Sequence, residues 1–175
     1  MNEIMGTTLV VCFVGMLFVS ASPVKAREAT LKIGGGVLFK ETQIGGNFQV
    51  DIPVAKEGKI VIAPFVDAYV SKSWIKVAGG GLNLLFKAQA GEGGKIYFGA
   101  GGGYGQARKR GEEATGALLN GVLGGEFSAS EKISIFIQAR GLALLGGEKR
   151  DLGIRQNLDI SSVAIEAGFA FNVGN

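Results

Sequence analysis

The sequence has no histidine, and its single cysteine, Cys12, stands in an apolar segment near the N-terminus. Without histidine the chain lacks the side chain that most often acts as a general acid or base near neutral pH, and a frequent zinc ligand. If the segment that holds Cys12 is removed, the rest of the chain has no disulfide and no thiolate metal ligand. The composition therefore argues against His-based catalysis and against most metal sites, and we expect no cofactor.

Long hydrophobic runs are also scarce. The run over residues 9–19 is interrupted only by Gly15 and is followed by small residues and by Val24-Lys25-Ala26. It is shorter than the roughly 20 residues that a helix needs to cross a bilayer. The pattern predicts a secretory signal peptide over residues 1–26, although Glu3 stands where a base is usual, and one domain over residues 27–175. A retained N-terminal anchor is the alternative.

Charge of one sign does not dominate the chain. The formal net charge is +3, and the lysines and arginines form no stripe interleaved with aromatic residues. Such a stripe is the usual footprint of nucleic-acid binding. We therefore expect no nucleic-acid partner.

From Thr30 onward the sequence consists of runs of about ten residues in which apolar and polar positions alternate. A period of two is typical of β-strands, and no window of this part shows the 3.6-residue period of a helix. The predicted strands cover residues 30–40, 47–54, 59–71, 74–90, 95–107, 114–128, 132–144 and 158–175. Eight consecutive strands with mostly short turns predict an all-β fold, a closed antiparallel up-and-down β-barrel, because an open meander would leave two long edges.

Two irregularities predict local departures from regular pairing. Pro64 lacks a backbone donor, so it predicts a bulge or a strand end in the third strand. In the fourth strand the apolar phase moves from odd positions (Ile75 and Val77) to even positions (Leu82 and Leu84). This shift predicts a bulge in the triple glycine at 79–81 that restores the facing.

The two faces of each strand differ in polarity. In the last strand the odd positions carry Ile165, Phe169 and Phe171, whereas Glu166 lies on the other face. Placing the less apolar face of every strand inside collects polar residues of mixed sign: Lys32, Gln49, Asp51, Asp67, Lys76, Asn83, Lys95, Asn120, Glu126, Gln138, Arg140 and Glu166. A mixed set can neutralise itself in a closed lumen, whereas a cavity for an apolar ligand would exclude it.

We therefore predict a lumen charge network of Lys32, Asp67, Lys76, Lys95, Glu126, Arg140 and Glu166. A carboxylate pair for hydrolysis is the alternative use of the acidic members, and the neighbouring cations favour salt bridges instead. The glycine-rich stretches do not match a phosphate-binding loop, so we assign them to packing within a narrow lumen.

An apolar exterior and strands of about ten residues match a barrel that crosses a bilayer at a tilt. Aromatic residues near strand ends, among them Trp74 and Tyr104, would form the interfacial girdle of such a barrel. The alternative is a secreted or periplasmic calycin-like soluble barrel that binds an apolar ligand, with its aromatics in the core. The two hypotheses differ in which face of the sheet is apolar.

The alternation, the glycine-rich strand GAGGGYGQA (99–107) and the strand SSVAIEAGFAF (161–171) resemble the small outer-membrane β-barrel proteins, the opacity-type porin-like superfamily of Gram-negative bacteria. This resemblance implies a cell outer-membrane location, contact with outer-membrane lipid and recognition by the barrel-assembly machinery. In that family the last strand ends on an aromatic residue, whereas four residues follow Phe171 here. Enzymes among barrels of this size use an active-site histidine, so the resemblance implies no enzymatic activity for this chain.

Two charge clusters fall in predicted loops. Their basic residues are the surface-loop binding candidates: Arg108, Lys109, Arg110, Lys149, Arg150 and Arg155. If the N-terminus is periplasmic, both loops face outward and could bind lipopolysaccharide phosphates or a host or envelope partner. Ordinary solvated loop tips are the alternative.

Overall fold

The structure, a computed structural model, describes residues 29–39, 42–55, 58–71, 76–109, 112–145 and 160–173. These residues form eight strands: β1 (Ala29–Leu38), β2 (Gln43–Pro53), β3 (Ile60–Val70), β4 (Lys76–Gln89), β5 (Gly94–Lys109), β6 (Glu112–Ser128), β7 (Ile133–Leu145) and β8 (Ile160–Val173). Every strand pairs antiparallel with the next, and β8 pairs with β1, so the sheet closes into a barrel. The predicted all-β up-and-down barrel is confirmed. The predicted signal peptide, residues 1–26, lies outside the described residues.

The up-and-down order gives the barrel two distinct ends. The near end is the one where Ala29 and Val173 pair, and the connections over 54–59, 90–93 and 129–132 lie there. The far end is the one where β1 ends at Leu38 and β8 begins at Ile160. In the part of the chain that the structure describes, no helix is long and apolar enough to span a membrane.

The outer surface of the barrel is apolar. Phe98, Ile137 and Phe169 are each more than half exposed, and Ile165 is 45% exposed. Large aliphatic and aromatic side chains occupy the outward row of every strand, because successive residues of a strand point to opposite faces. The polar row of the same strands points into the lumen, where Glu166 is 1% exposed. This is the arrangement of a membrane barrel and the reverse of a soluble carrier.

The predicted bulge in the triple glycine is wrong. The register of β4 with β3 and with β5 continues without a break from Lys76 to Phe86, and with β5 to Gln89. The odd positions of β4 therefore face the lumen throughout, and Val77 packs against buried lumen residues. The apparent change of phase arises because the far end of the lumen accepts apolar side chains.

Pro64 interrupts pairing without a bulge. The ladder between β2 and β3 has no pairs for Ala63 and Pro64, but the pairs on both sides keep the same register. On its other side Pro64 pairs with Leu82 of β4. Because Pro64 has no backbone N–H, two pairs are lost locally. The side chains of β3 on both sides of Pro64 still point to the same faces as in a regular strand.

Strands β5 and β6 are longer than predicted. The predicted loop over 108–113 is mostly strand, since Arg108 pairs with Glu113 and Lys109 with Glu112. Likewise β2 begins at Gln43 rather than at Asn47, so Gly45 and Gly46 lie in the sheet. Charged and glycine residues extend these strands because the neighbouring strand supplies backbone partners whatever the side chain.

Glycines of β4 and β5 allow these strands to pack closely. A Cβ added at Gly99 would overlap the backbone oxygen of Leu84, and one at Gly103 would overlap that of Gly80. Elsewhere, a large side chain covers a glycine, as Tyr69 covers Gly45. Glycine at these positions therefore serves close approach, in keeping with the packing role predicted from the sequence.

Candidate functional site in the barrel lumen

The near-end half of the lumen contains a cluster of two lysines and two carboxylates. Lys32 of β1 lies 3.0 Å from Asp51 and 3.3 Å from Glu126. Lys87 of β4 lies 2.7 Å from the same Asp51 oxygen and 3.4 Å from Glu126. Each cation therefore bridges both acids, and Lys32 is fully buried.

A second cluster surrounds Arg140 of β7 at mid-height. Its guanidinium donates to Asp67 at 2.8 Å and to Gln49 at 3.2 Å, and its Nε lies 3.5 Å from Glu166. Glu166 also accepts hydrogen bonds from Tyr69 and Gln138. The side chain thus reaches from β7 to β2 and β3 and joins opposite walls of the lumen.

Two glutamines connect the clusters. Gln49 accepts from Arg140 and donates to Asp51 at 2.6 Å. Gln138 donates to Glu166 and accepts from the Tyr97 hydroxyl at 2.9 Å. Interior polar residues of all eight strands therefore form one continuous network.

Aromatic rings pack against the buried cations. The Lys32 ammonium lies 3.9 Å from the centre of the Tyr97 ring, and the Arg140 guanidinium lies 4.8 Å from that of Phe65. A desolvated cation over a ring face gains about 2 kcal/mol, which offsets part of the cost of taking the charge out of water. The buried charges are therefore stabilised only when all of their partners are present.

Apolar side chains form two buried clusters in the lumen. One extends from mid-height toward the far end and packs against Val77: Leu38, Phe65, Tyr69, Leu118, Leu142 and Ala164. The other lies toward the near end: Val61, Ala63, Leu85, Tyr97 and Val122. The cavity beside the first cluster measures about 30 Å³. Small-molecule sites measure roughly 300–1,000 Å³, so this cavity has no room for a carried ligand.

The structure brings together five of the seven residues assigned to the lumen charge network: Lys32, Asp67, Glu126, Arg140 and Glu166. Lys95 belongs to the lumen-facing row of β5 but is exposed, because it lies one residue from the near-end start of the strand. The side chain of Lys76 lies outside the described residues. Its predicted inward facing depended on the bulge that is absent, and the even positions of β4 from Ala78 to Phe86 form the outward row.

Sequence reasoning left several participants out of the assigned network, among them the connecting Gln49 and Gln138. Lys87 and Asp51 complete the near-end cluster, and Tyr69 and Tyr97 supply hydroxyl donors. Lys87 shares its odd-numbered row with Asn83, which was placed inside. Its place on that row, which does not depend on the triple glycine, is the signal that would have added it.

The surface-loop candidates have different placements. Arg108 is exposed at the far end of β5, and Lys109 is the last residue of that strand. Neither residue therefore lies in a loop, contrary to the prediction. The side chain of Lys109 and the residues Arg110, Lys149, Arg150 and Arg155 lie outside what the structure describes.

The buried carboxylates are arranged for structure. Asp67, Glu126 and Glu166 each contact a cation or amide donors within a closed lumen. Among the described residues, no group of three or more His, Cys, Asp or Glu is placed to hold a metal ion. The arrangement stabilises opposite walls of a barrel by internal ion pairing.

Comparison with known proteins identifies the fold. No family model matches the chain, and no curated protein sequence matches it. Among solved structures, the Neisserial surface protein A (NspA) matches with a TM-score of 0.65 at 10% identity, over 83% of this chain and 96% of that one. The N-terminal β-barrel domain of Pseudomonas aeruginosa OprF matches with a TM-score of 0.58 at 13% identity, over 83% and 97% of the chains. The chain therefore has the fold of the small eight-stranded outer-membrane barrels, as the resemblance implied.

Proposed function

We propose that the chain is a non-enzymatic outer-membrane barrel that serves envelope structure or surface interaction. The observation that carries the proposal is the reversed polarity of the sheet, with exposed Ile165 and Phe169 beside buried Glu166 and Arg140. Burial of that outer row in hydrocarbon removes from water a surface that a soluble protein would have to hide.

The lumen supports a structural rather than a transport role. The ion-pair network occupies the near-end half and the middle, where one apolar cluster lies beside it, and a second apolar cluster extends toward the far end. Eight strands enclose an interior about as wide as the side chains that fill it. We therefore propose a filled lumen with no open passage for solutes.

Cell fractionation tests the location. The full chain with its N-terminal segment is expressed in a Gram-negative host with a C-terminal tag, and the envelope is washed with carbonate. We expect the protein in the outer-membrane fraction, with a gel mobility that changes on heating. Full recovery in detergent-free buffer would contradict the proposal and favour the soluble carrier.

The far end is the proposed contact surface for the phosphates of lipopolysaccharide. Its support is the basic sequence around the exposed Arg108, because Arg and Lys bind phosphate through charge-assisted hydrogen bonds. The test compares binding of the refolded barrel to vesicles with and without lipopolysaccharide after replacing Arg108, Lys109 and Arg110 by alanine. A variant with Lys59 and Lys132, at the near end, replaced by alanine is the matched control. Equal loss in both variants, or no loss in either, would refute a far-end site.

A further inference from the structure

Two asparagines in the lumen wall have amide groups that form no hydrogen bond within the described part of the chain. Asn83 of β4 is 2% exposed and Asn120 of β6 is 6% exposed, and neither the Oδ1 nor the Nδ2 of either residue has a partner there. Asn83 pairs with Gly101 of β5, and Gly101 pairs with Asn120. The two amides therefore flank a single glycine at mid-height.

Neighbouring protein groups do not satisfy these amides. The ladders on both sides of Gly101 are continuous, so the backbone groups of this segment bond to one another. The next lumen-facing residues on β6 are Leu118 and Val122, and Leu85 follows Asn83 on β4. An amide in such apolar surroundings is strongly unfavourable unless something else bonds to it.

The Asn83 side chain reaches over Gly101. A Cβ at this position would overlap Oδ1 of Asn83, so the Asn83 oxygen lies over the glycine that separates the two asparagines in the sheet. A molecule that bridges the amides must be small and must both donate and accept hydrogen bonds. Water has these properties, and a buried water needs two to four polar partners, which two amides provide.

We propose that Asn83, Gly101 and Asn120 form an internal water-binding site, in which about one or two waters bridge the amides. The site goes beyond the proposed envelope function, since it assigns a resident solvent molecule to a lumen otherwise filled by ion pairs and apolar side chains. The network lies toward the near end and the first apolar cluster toward the far end. The bound water is therefore enclosed and exchanges slowly.

Water contacts measured by NMR test the proposal on the complete mature barrel, refolded in micelles and labelled at its side-chain amides. We expect cross-relaxation peaks between water and the side-chain NH₂ groups of Asn83 and Asn120, with the sign of a long-lived contact. Gln138 is the internal control, because protein groups bond both its amide oxygen and its nitrogen. Absence of the two asparagine peaks, or an equal peak at Gln138, would overturn the proposal.

Two variants make the test sharper. In Asn120→Leu we expect the Asn83 peak to lose more than half of its intensity, because the bridging water loses one of its partners. An undiminished Asn83 peak in a variant that still shows heat-dependent gel mobility would overturn the bridge. The double variant Asn83→Leu and Asn120→Leu should have a urea midpoint at or above that of each single variant, and a lower one would overturn it too. If Asn120→Leu does not fold, the spectrum of the unsubstituted barrel decides.

Discussion

Arg140 has more polar partners than any other cation in the described lumen, and it is fully buried. It contacts Asp67, Gln49 and Glu166 from three strands and stacks over Phe65. Removing one member of a buried ion pair leaves an uncompensated charge, whereas replacing all members by apolar residues can be neutral. The stability of the barrel is therefore sensitive to single substitutions in the lumen.

Replacement of Glu166 by leucine should lower the free energy of unfolding by about 2–4 kcal/mol, because Arg140, Tyr69 and Gln138 each lose a partner. The measurement is urea unfolding of the refolded barrel in lipid vesicles. Val163→Leu, on the outward row of the same strand, is the matched control and should change the unfolding free energy by less than about 0.5 kcal/mol. Equal stability of both variants would count against the network.

Lys32 of β1 and Lys95 of β5 each lie in the lumen-facing row of their strand, but Lys32 is buried and Lys95 is exposed. Lys32→Met should destabilise the barrel by about 3–5 kcal/mol, because Asp51 and Glu126 lose a buried partner. Lys95→Met removes an exposed charge at the near-end rim and should leave the urea midpoint nearly unchanged. The same unfolding assay compares them. A larger effect at position 95 would contradict the placement of both.

At the scale of single strands, the glycines of the barrel fall into two classes. Gly103 is hemmed in by the backbone of β4, whereas Gly141 of β7 has nothing within 4 Å of an added Cβ. Glycine in a strand weakens it by about 0.5–1 kcal/mol relative to alanine when nothing requires the missing side chain. Strand pairing thus explains Gly103 but not Gly141.

Alanine at these two glycines should therefore have opposite effects. Gly103→Ala should destabilise the barrel or prevent its folding, since the Cβ meets the Gly80 oxygen. Gly141→Ala, on the outer face, should raise the free energy of unfolding by about 0.4–1 kcal/mol. Folding yield from the heat-modifiable gel band and urea midpoints report both. Tolerance of Gly103→Ala with loss at Gly141→Ala would contradict the strand geometry.

The period-two pattern was sufficient to predict the strands because it follows from the backbone geometry of a strand. The pattern failed at positions where the polarity of a side chain does not show whether it points into the lumen or outward. Val77, Leu118 and Val122 are apolar residues that face the lumen, so the pattern suggested a bulge in β4 and appeared blurred in β6. The partners within the lumen were not predictable, because contacts such as Arg140 with Asp67 join β7 and β3 across the barrel interior.

For the whole molecule, two kinds of contact join the walls of the lumen. Ion pairs lie near the end where Ala29 and Val173 pair, and apolar clusters lie beside them and toward the other end. Both kinds of filling leave the outer surface apolar all round. We therefore expect this outer surface to face hydrocarbon and the charged row to face inward.

Magnetisation transfer from lipid acyl chains to protein side chains tests that claim most directly. The barrel is placed in nanodiscs, and nuclear Overhauser contacts are recorded between acyl methylenes and labelled side chains. We predict contacts at Ile137, Ile165 and Phe169, which are exposed on the outer face, and none at Leu85, Val122 and Phe136, which are buried in the lumen. Acyl contacts at the second set and none at the first would contradict the account.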